Sequence, residues 1–226
     1  MDLAVAQLLR YSLRYGGHPA GEQRLSLEPY PGGLHLTLEA QVELPPPKTR
    51  QRWESELDLK GLPRRYRERV EGNGARLMEV VFSREDGVVT VSQGKEDLAI
   101  PYLEDMYDPL SLIFAVGRLE LGVGEVARLA LVGGRAYVER LPDQRLELGQ
   151  GEKTLRVCRL RPGLSLLYFD QEGYPVRLTQ KVGEHIFEAE LVAVEELAAQ
   201  RRVVVGEPAK EKSAANRRRR RRRRYI

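Results

Sequence analysis

Histidine, cysteine and tryptophan are almost missing from this chain of 226 residues, which holds three His, one Cys and one Trp. A lone cysteine, Cys158, forbids any disulfide within the chain. His18, His35 and His185 are far apart in sequence and offer none of the ligand spacings of a zinc site. We therefore expect no metal, no cofactor and no catalytic residue, and read the chain as non-enzymatic. No apolar run approaches the roughly 18 residues of a membrane-spanning helix. The first residues carry Asp2 and run straight into Arg10 and Arg14, which is not the pattern of an export signal. The expectation is a cytoplasmic protein, or a periplasmic one if a signal has been removed. Asparagine occurs only as Asn73 and Asn216, and such scarcity of thermolabile residues suits a heat-adapted source.

What is abundant is charge, and it is unevenly spread. The formal net charge is +4. Residues 207–226 hold Lys210, Lys212 and eight consecutive arginines against Glu207 and Glu211, a local charge of +8 that leaves −4 for residues 1–206. A composition of Gly, Glu, Pro, Ala, Lys, Ser and then arginine buries too little apolar area to offset chain entropy, so 206–226 reads as a disordered basic tail. Residues 1–205 read as one domain, long enough for a sizeable core.

Within that domain, alternation dominates. Leu34, Leu36, Leu38, Ala40, Val42 and Leu44 are apolar, and every residue between them is polar, the period of a strand with one buried face. Trp53, Ser55, Leu57 and Leu59 alternate with charged residues, and Phe187, Ala189, Leu191 and Ala193 alternate with Glu188 and Glu190. Turn signals punctuate these runs: Asp86-Gly87, Gly133-Gly134, and Pro142-Asp143 before Arg145–Leu148. Val203 to Val205 offer a few further β-type residues. The pattern predicts an all-β fold, an antiparallel curved sheet forming a half-open or closed barrel. One segment breaks it: Asp108 can cap a helix beginning at Pro109 and ending at Gly117. Residues 109–116 are apolar nearly all round, so that helix is expected to be buried.

Four stretches carry a family resemblance: LRYSLRYGGHPAG from Leu9, LKGLPRRY from Leu59, YDPLSLIF from Tyr107 and YFDQEGYPVRLTQKVGEHIFEAE from Tyr168. Taken in this order, over roughly residues 9 to 197, they resemble the domain-of-unknown-function 3108 family, found mostly among bacterial envelope proteins. The resemblance implies a curved antiparallel sheet, half or fully closed, around a helix. It also implies kinship with periplasmic lipoprotein-carrier shapes, which hold acyl chains in such a cavity. It assigns no catalytic residue. The polyarginine tail departs from the family pattern.

The candidate binding residues are therefore Arg217, Arg218, Arg219, Arg220, Arg221, Arg222, Arg223 and Arg224, with Lys210 and Lys212. Guanidinium groups in series can contact successive phosphates, and each neutralised phosphate releases counterion. Nothing in the tail reads base edges, so a sequence-independent nucleic-acid partner is expected, RNA ahead of DNA, with an anionic membrane as the other polyanion. The β domain would contact a further partner whose identity the sequence leaves unknown. The alternative is a carrier or sensor of an apolar ligand in the concave face of the sheet at the envelope, lined by Leu112, Ile113 and Val116. Three weaker features have plainer readings. Cys158 reads as a small buried hydrophobe. Glu104, Asp105 and Asp108 read as acids at a helix start. Arg65, Arg67 and Arg69 would line one strand face, as a basic stripe or as a solvated one.

Overall fold

A computed structural model describes residues 5–72, 75–148, 151–163, 165–182 and 184–197. The described residues form one all-β unit with a single short helix. The first hairpins are β1 (Gln7–Tyr15), β2 (His18–Tyr30), β3 (Gly33–Val42), β4 (Thr49–Asp58) and β5 (Pro63–Glu71). The short strands β6 (Arg76–Ser83), β7 (Val88–Gln93) and β8 (Glu96–Pro101) follow. The two-residue β9 (Met106–Tyr107) leads into α1 (Pro109–Arg118), then β10 (Val126–Leu131), β11 (Gly134–Leu148) and β12 (Gly151–Arg161). The chain closes with β13 (Ser165–Phe169), β14 (Pro175–Val182) and β15 (His185–Glu196).

All fifteen strands belong to one sheet, ordered β8-β7-β6-β5-β4-β3-β2-β1-β15-β14-β13-β12-β11-β10-β9. Every neighbouring pair is antiparallel except β9 with β10. Neighbours in the sheet are neighbours in sequence, apart from β1 beside β15, which joins the two ends of the described chain. The sheet is open, with β8 and β9 as its edges, and it curves around α1. Alternation put the right residues inside: Leu9, Leu13, Leu25, Leu27, Leu36, Leu38, Leu57, Tyr66, Val80 and Val89 are all buried.

The helix joins two apolar clusters. Leu110 and Phe114 pack with the β1–β7 side chains, while Leu112 and Val116 pack with Ala136, Val138, Cys158, Leu167 and Phe169. A third, smaller cluster of Leu148, Leu155, Val157, Tyr168 and Val176 lies toward the β11–β12 end.

Four boundaries differ from the sequence expectation. Gly117 does not end the helix: it lies inside it, and Leu119 is the C-cap. A Cβ on Gly117 would stand 3.1 Å from the Gly173 carbonyl oxygen and 3.1 Å from the Phe169 ring, so this glycine serves close approach and not termination. The β10–β11 turn is Val132-Gly133, one residue earlier than Gly133-Gly134, with Gly133 at φ +87°. Pro142-Asp143 makes no turn; it lies within β11, where the register with β12 slips between Leu141 and Gln144, a bulge that accommodates proline. Leu59 continues no strand: it sits in the β4–β5 turn, 81% exposed.

Candidate functional site

The first concentration of chemistry lies at the start of α1. Asp108 is fully buried, and its carboxylate accepts the N–H groups of Leu110 and Ser111, each at 2.8 Å, and the Ser55 hydroxyl at 2.7 Å. Ser111 Oγ closes the capping box by accepting the Asp108 N–H at 3.0 Å. Ser55 faces inward from β4, and Tyr66 is its cross-strand partner on β5. Two residues on, Glu68 is buried on the same inner face between Trp53 and Met78. It accepts the Tyr66 hydroxyl at 3.1 Å and the Arg76 Nε at 2.8 Å.

Burial pushes the Asp108 carboxyl above its ordinary pKa, against the lowering effect of its hydrogen bonds from Ser111, Ser55 and Leu110. Burial likewise pushes the Tyr66 phenol up, helped by the negative charges of Glu68 and Asp108. Every acceptor here is engaged by the fold. Ser55 spends its proton on the capping carboxylate, so no free base stands beside a nucleophile. This network fixes the helix to the sheet. Trp53 Nε1 is the one member of this face left buried without a hydrogen-bond acceptor.

The second feature is a notch in the sheet. β13 pairs with β12 only from Arg156 onward, so Gly151–Leu155 of β12 have β11 alone beside them. β14 reaches β15 only as far as Glu190, so Leu191–Glu196 pair with β1 alone. Among the described residues no strand lies between these two overhangs, a gap of about 14 Å at ordinary strand spacing. The Asp170–Tyr174 turn forms its floor, held by Asp170 Oδ1 accepting the N–H groups of Glu172 and Tyr174. The recess measures about 670 Å³. Its lining mixes Leu148, Val176 and Leu191–Val194 with Glu152, Asp170, Glu172 and Glu190, against one cation, Lys153.

The sequence profile of DUF3108, proteins of unknown function, matches residues 10–185. The chain belongs to the DUF3108 family. No curated protein matches it. Among solved structures, it is similar to a beta-barrel-like protein of the domain of unknown function DUF1849 from Brucella abortus. That likeness covers 86% of this chain and 98% of the other, with a TM-score of 0.52 and 14% identity, and it concerns the fold.

This DUF3108 domain disperses most residues that the sequence singled out. Only Asp108 of the three acids reaches the helix N-terminus. Glu104 pairs with Arg128 at 3.2 Å, and Asp105 accepts the Tyr102 hydroxyl at 3.3 Å. His185 is exposed and packs tilted against Tyr15, with ring centroids 4.9 Å apart and planes at 56°; His35 lies elsewhere, on β3. Among the described residues no group of three or more His, Cys, Asp or Glu could hold a metal. Nor, among those residues, is any helix long and apolar enough to cross a membrane. Cys158 is buried in the second apolar cluster, where burial pushes its thiol pKa up. Leu112 and Val116 are buried in that same cluster, and Ile113 packs partly buried between it and the larger one.

Arg65, Arg67 and Arg69 do share the outer face of β5. Both Arg65 and Arg67 place Nε 3.0 Å from Glu79, and Arg69 lies 4.0 Å from Glu71, so the stripe is interleaved with carboxylates. Lys210, Lys212 and the eight arginines of 217–224 lie outside the described residues, as do Val203 to Val205 and the whole of 206–226.

Sequence reasoning missed the partners of Asp108 and Glu68, and it missed Arg156. That guanidinium caps the C-terminal end of α1 by donating to the carbonyls of Leu119 (2.6 Å) and Gly117, while lying 5.1 Å over the Phe169 ring. The available signal was an arginine at an otherwise apolar-flanked strand position, between Leu155 and Val157.

Proposed function

We propose that this protein is a non-enzymatic binding protein, attached to nucleic acid, preferentially RNA, through residues 207–226, while the β domain presents shape to a further partner. The observation that carries this reading is the partition of charge. The segment 207–226 holds +8 and residues 1–206 hold −4. Many arginines of the sheet are paired with neighbouring carboxylates. Arg52 stands 2.5 Å from Glu39 and 2.7 Å from Glu54, and Arg10, Arg24, Arg128, Arg159 and Arg161 each pair with a glutamate. The eight arginines of 217–224 have no acid among or beside them in sequence. A polyanion exchanging its counterions for guanidinium groups gains most from that run. Attachment also raises the local concentration of whatever the β domain meets.

The test compares the intact chain with one ending at Gly206 for binding to single-stranded RNA, duplex DNA and anionic liposomes across a salt series. If eight arginines each neutralise one phosphate, log K against log salt falls with a slope of about −6 on single strands, and affinity drops about a thousandfold between about 50 and 200 mM salt. The shortened chain should lose both affinity and slope. An unchanged slope in the shortened chain overturns the reading. Liposome binding without RNA binding assigns the segment to membranes instead.

A further inference from the structure

The inward face of the sheet changes character along β4. From Ser55, bonded to the Asp108 cap, to Gly61, against which Arg118 lies, that face is covered by α1. The inward side chains there, Leu36, Leu57, Val80 and Val89, are buried and apolar. Toward the other end of the same strands the inward positions turn polar. One cross-strand row sets Gln23, Gln51 and Arg76 on β2, β4 and β6, and the next sets Trp53 beside Glu68 on β4 and β5. Adjacent strands stand about 5 Å apart and the two rows about 7 Å apart, so Gln51, Trp53, Glu68 and Arg76 share an area the size of one or two sugar rings. Gln23, Gln51 and Trp53 are half-buried and the Arg76 side chain is 54% exposed, so solvent reaches this part of the concave face. Trp53 Nε1 is nevertheless buried, with no acceptor among the described residues. A buried donor without a partner is uncommon and marks a place for one.

We propose that this end of the concave face binds a neutral saccharide. Charge, amides and indole each narrow the chemistry. Glu68 and Arg76 neutralise each other, which disfavours an ionic ligand. Amides that both donate and accept, beside an indole N–H that only donates, suit hydroxyl groups, which do both. The indole ring and the partly buried Met78 offer an apolar surface to the C–H face of a pyranose. A fatty chain would leave the amides and the indole N–H unmet. Trp53 Nε1 and an Arg76 N–H then donate to hydroxyl oxygens, and Gln51 both donates and accepts. Glu68 is a positioning residue: it accepts the Tyr66 hydroxyl and holds Arg76 in place. This goes beyond the nucleic-acid reading and does not depend on the arginine run.

Trp53 is the chain's one tryptophan, so its fluorescence reports on this face directly. The full chain is titrated with glucose, N-acetylglucosamine, maltose and trehalose, and in parallel with dodecanoate. At least one sugar should give a saturable change in emission. Gln51→Leu keeps the size and removes the amide; it should weaken that sugar about tenfold while leaving the urea unfolding midpoint unchanged. Trp53→Phe keeps a ring and removes the N–H, and calorimetry should show a loss of about the same size. No response to any of the four sugars overturns the proposal. So does a response to dodecanoate alone, which would assign the face to an apolar ligand. Native affinity in both variants overturns it as well, because the sugar would then bind elsewhere. A response seen only in a chain ending at Gly206 also overturns it, and would give the face to the chain's own C-terminal segment. The chain ending at Gly206 should bind the sugar as the full chain does while losing RNA, so the two proposals fail separately.

Discussion

The two faces of the β5–β6 pair bind their charges differently. On the outer face Arg65 and Arg67 both lean on Glu79, whose side chain is 35% exposed. On the inner face Arg76 reaches Glu68, whose side chain is 5% exposed and also holds the Tyr66 hydroxyl. The same two residue types, on the same two strands, form a screened surface contact in one case and a joint to a buried carboxylate in the other, although the guanidinium is half exposed in both. What separates them is the direction of the Cβ, set by the strand's period of two. Arginine content therefore says little about function here until the face is known. The outer arginines offset carboxylates on the sheet surface, and the inner ones tie elements together.

Mutations on the two faces should separate by size. The largest effect belongs to Phe114→Ala, which empties the centre of the larger apolar cluster where α1 meets the sheet. Urea unfolding should show a loss of about 3–5 kcal/mol. Next comes Arg76→Ala. It leaves the Glu68 carboxylate inside the sheet with only a phenol as donor; because the Arg76 side chain is itself 54% exposed, the loss should be about 1–3 kcal/mol. If Arg76→Ala proved as mild as a surface substitution, water would be reaching Glu68 and the contrast between the faces would collapse.

The helix shows what a single sequence discloses and what it withholds. The alternation from Leu34 to Val42 and the Asp108-Pro109 start were legible, because a strand's period and a cap's geometry are local. Gly117 misled, because a glycine chosen for close approach to Phe169 and Gly173 looks the same in sequence as one that ends a helix. Ser55 stands 53 residues from Asp108 and Glu68 eight from Arg76, and only the sheet register brings them together. The notch was illegible for the same reason. It arises because β12 and β15 outrun β13 and β14, and strand overhang exists only once pairing is known.

Two carboxylates should then give opposite pH responses. Asp108 has its pKa raised by burial, so its contribution favours folding below the unfolded value of about 4 and is lost as pH rises through the folded value. Asp108→Asn keeps an oxygen for the Leu110 and Ser111 N–H groups and removes this dependence; Asp108→Ala loses the cap and about 2 kcal/mol. Asp58 is the reverse. Burial opposes its charge, but the Leu62 N–H, the Arg84 guanidinium at 2.6 Å and the Lys60 N–H outweigh burial and hold its pKa below the ordinary value. Its stabilisation is complete above about pH 4 and is lost as pH falls through the folded value. Unfolding midpoints measured from pH 3 to 7 should therefore fall on acidification in the native chain, less steeply in Asp58→Asn and more steeply in Asp108→Asn.

The smallest effect belongs to the outer face, and its smallness is informative. Glu79→Gln removes the negative charge shared by Arg65 and Arg67 and should cost under about 1 kcal/mol, since exposed pairs lose most of their Coulomb gain to solvent and salt. The same change leaves two guanidinium groups two residues apart on one face of β5 without their carboxylate, next to Arg69. If sheet arginines are kept from polyanions only by their partners, Glu79→Gln in a chain ending at Gly206 should acquire weak RNA binding that disappears by about 150 mM salt. If it acquires none even at low salt, pairing is not what silences that face, and the negative charge of the rest of the domain would have to do so.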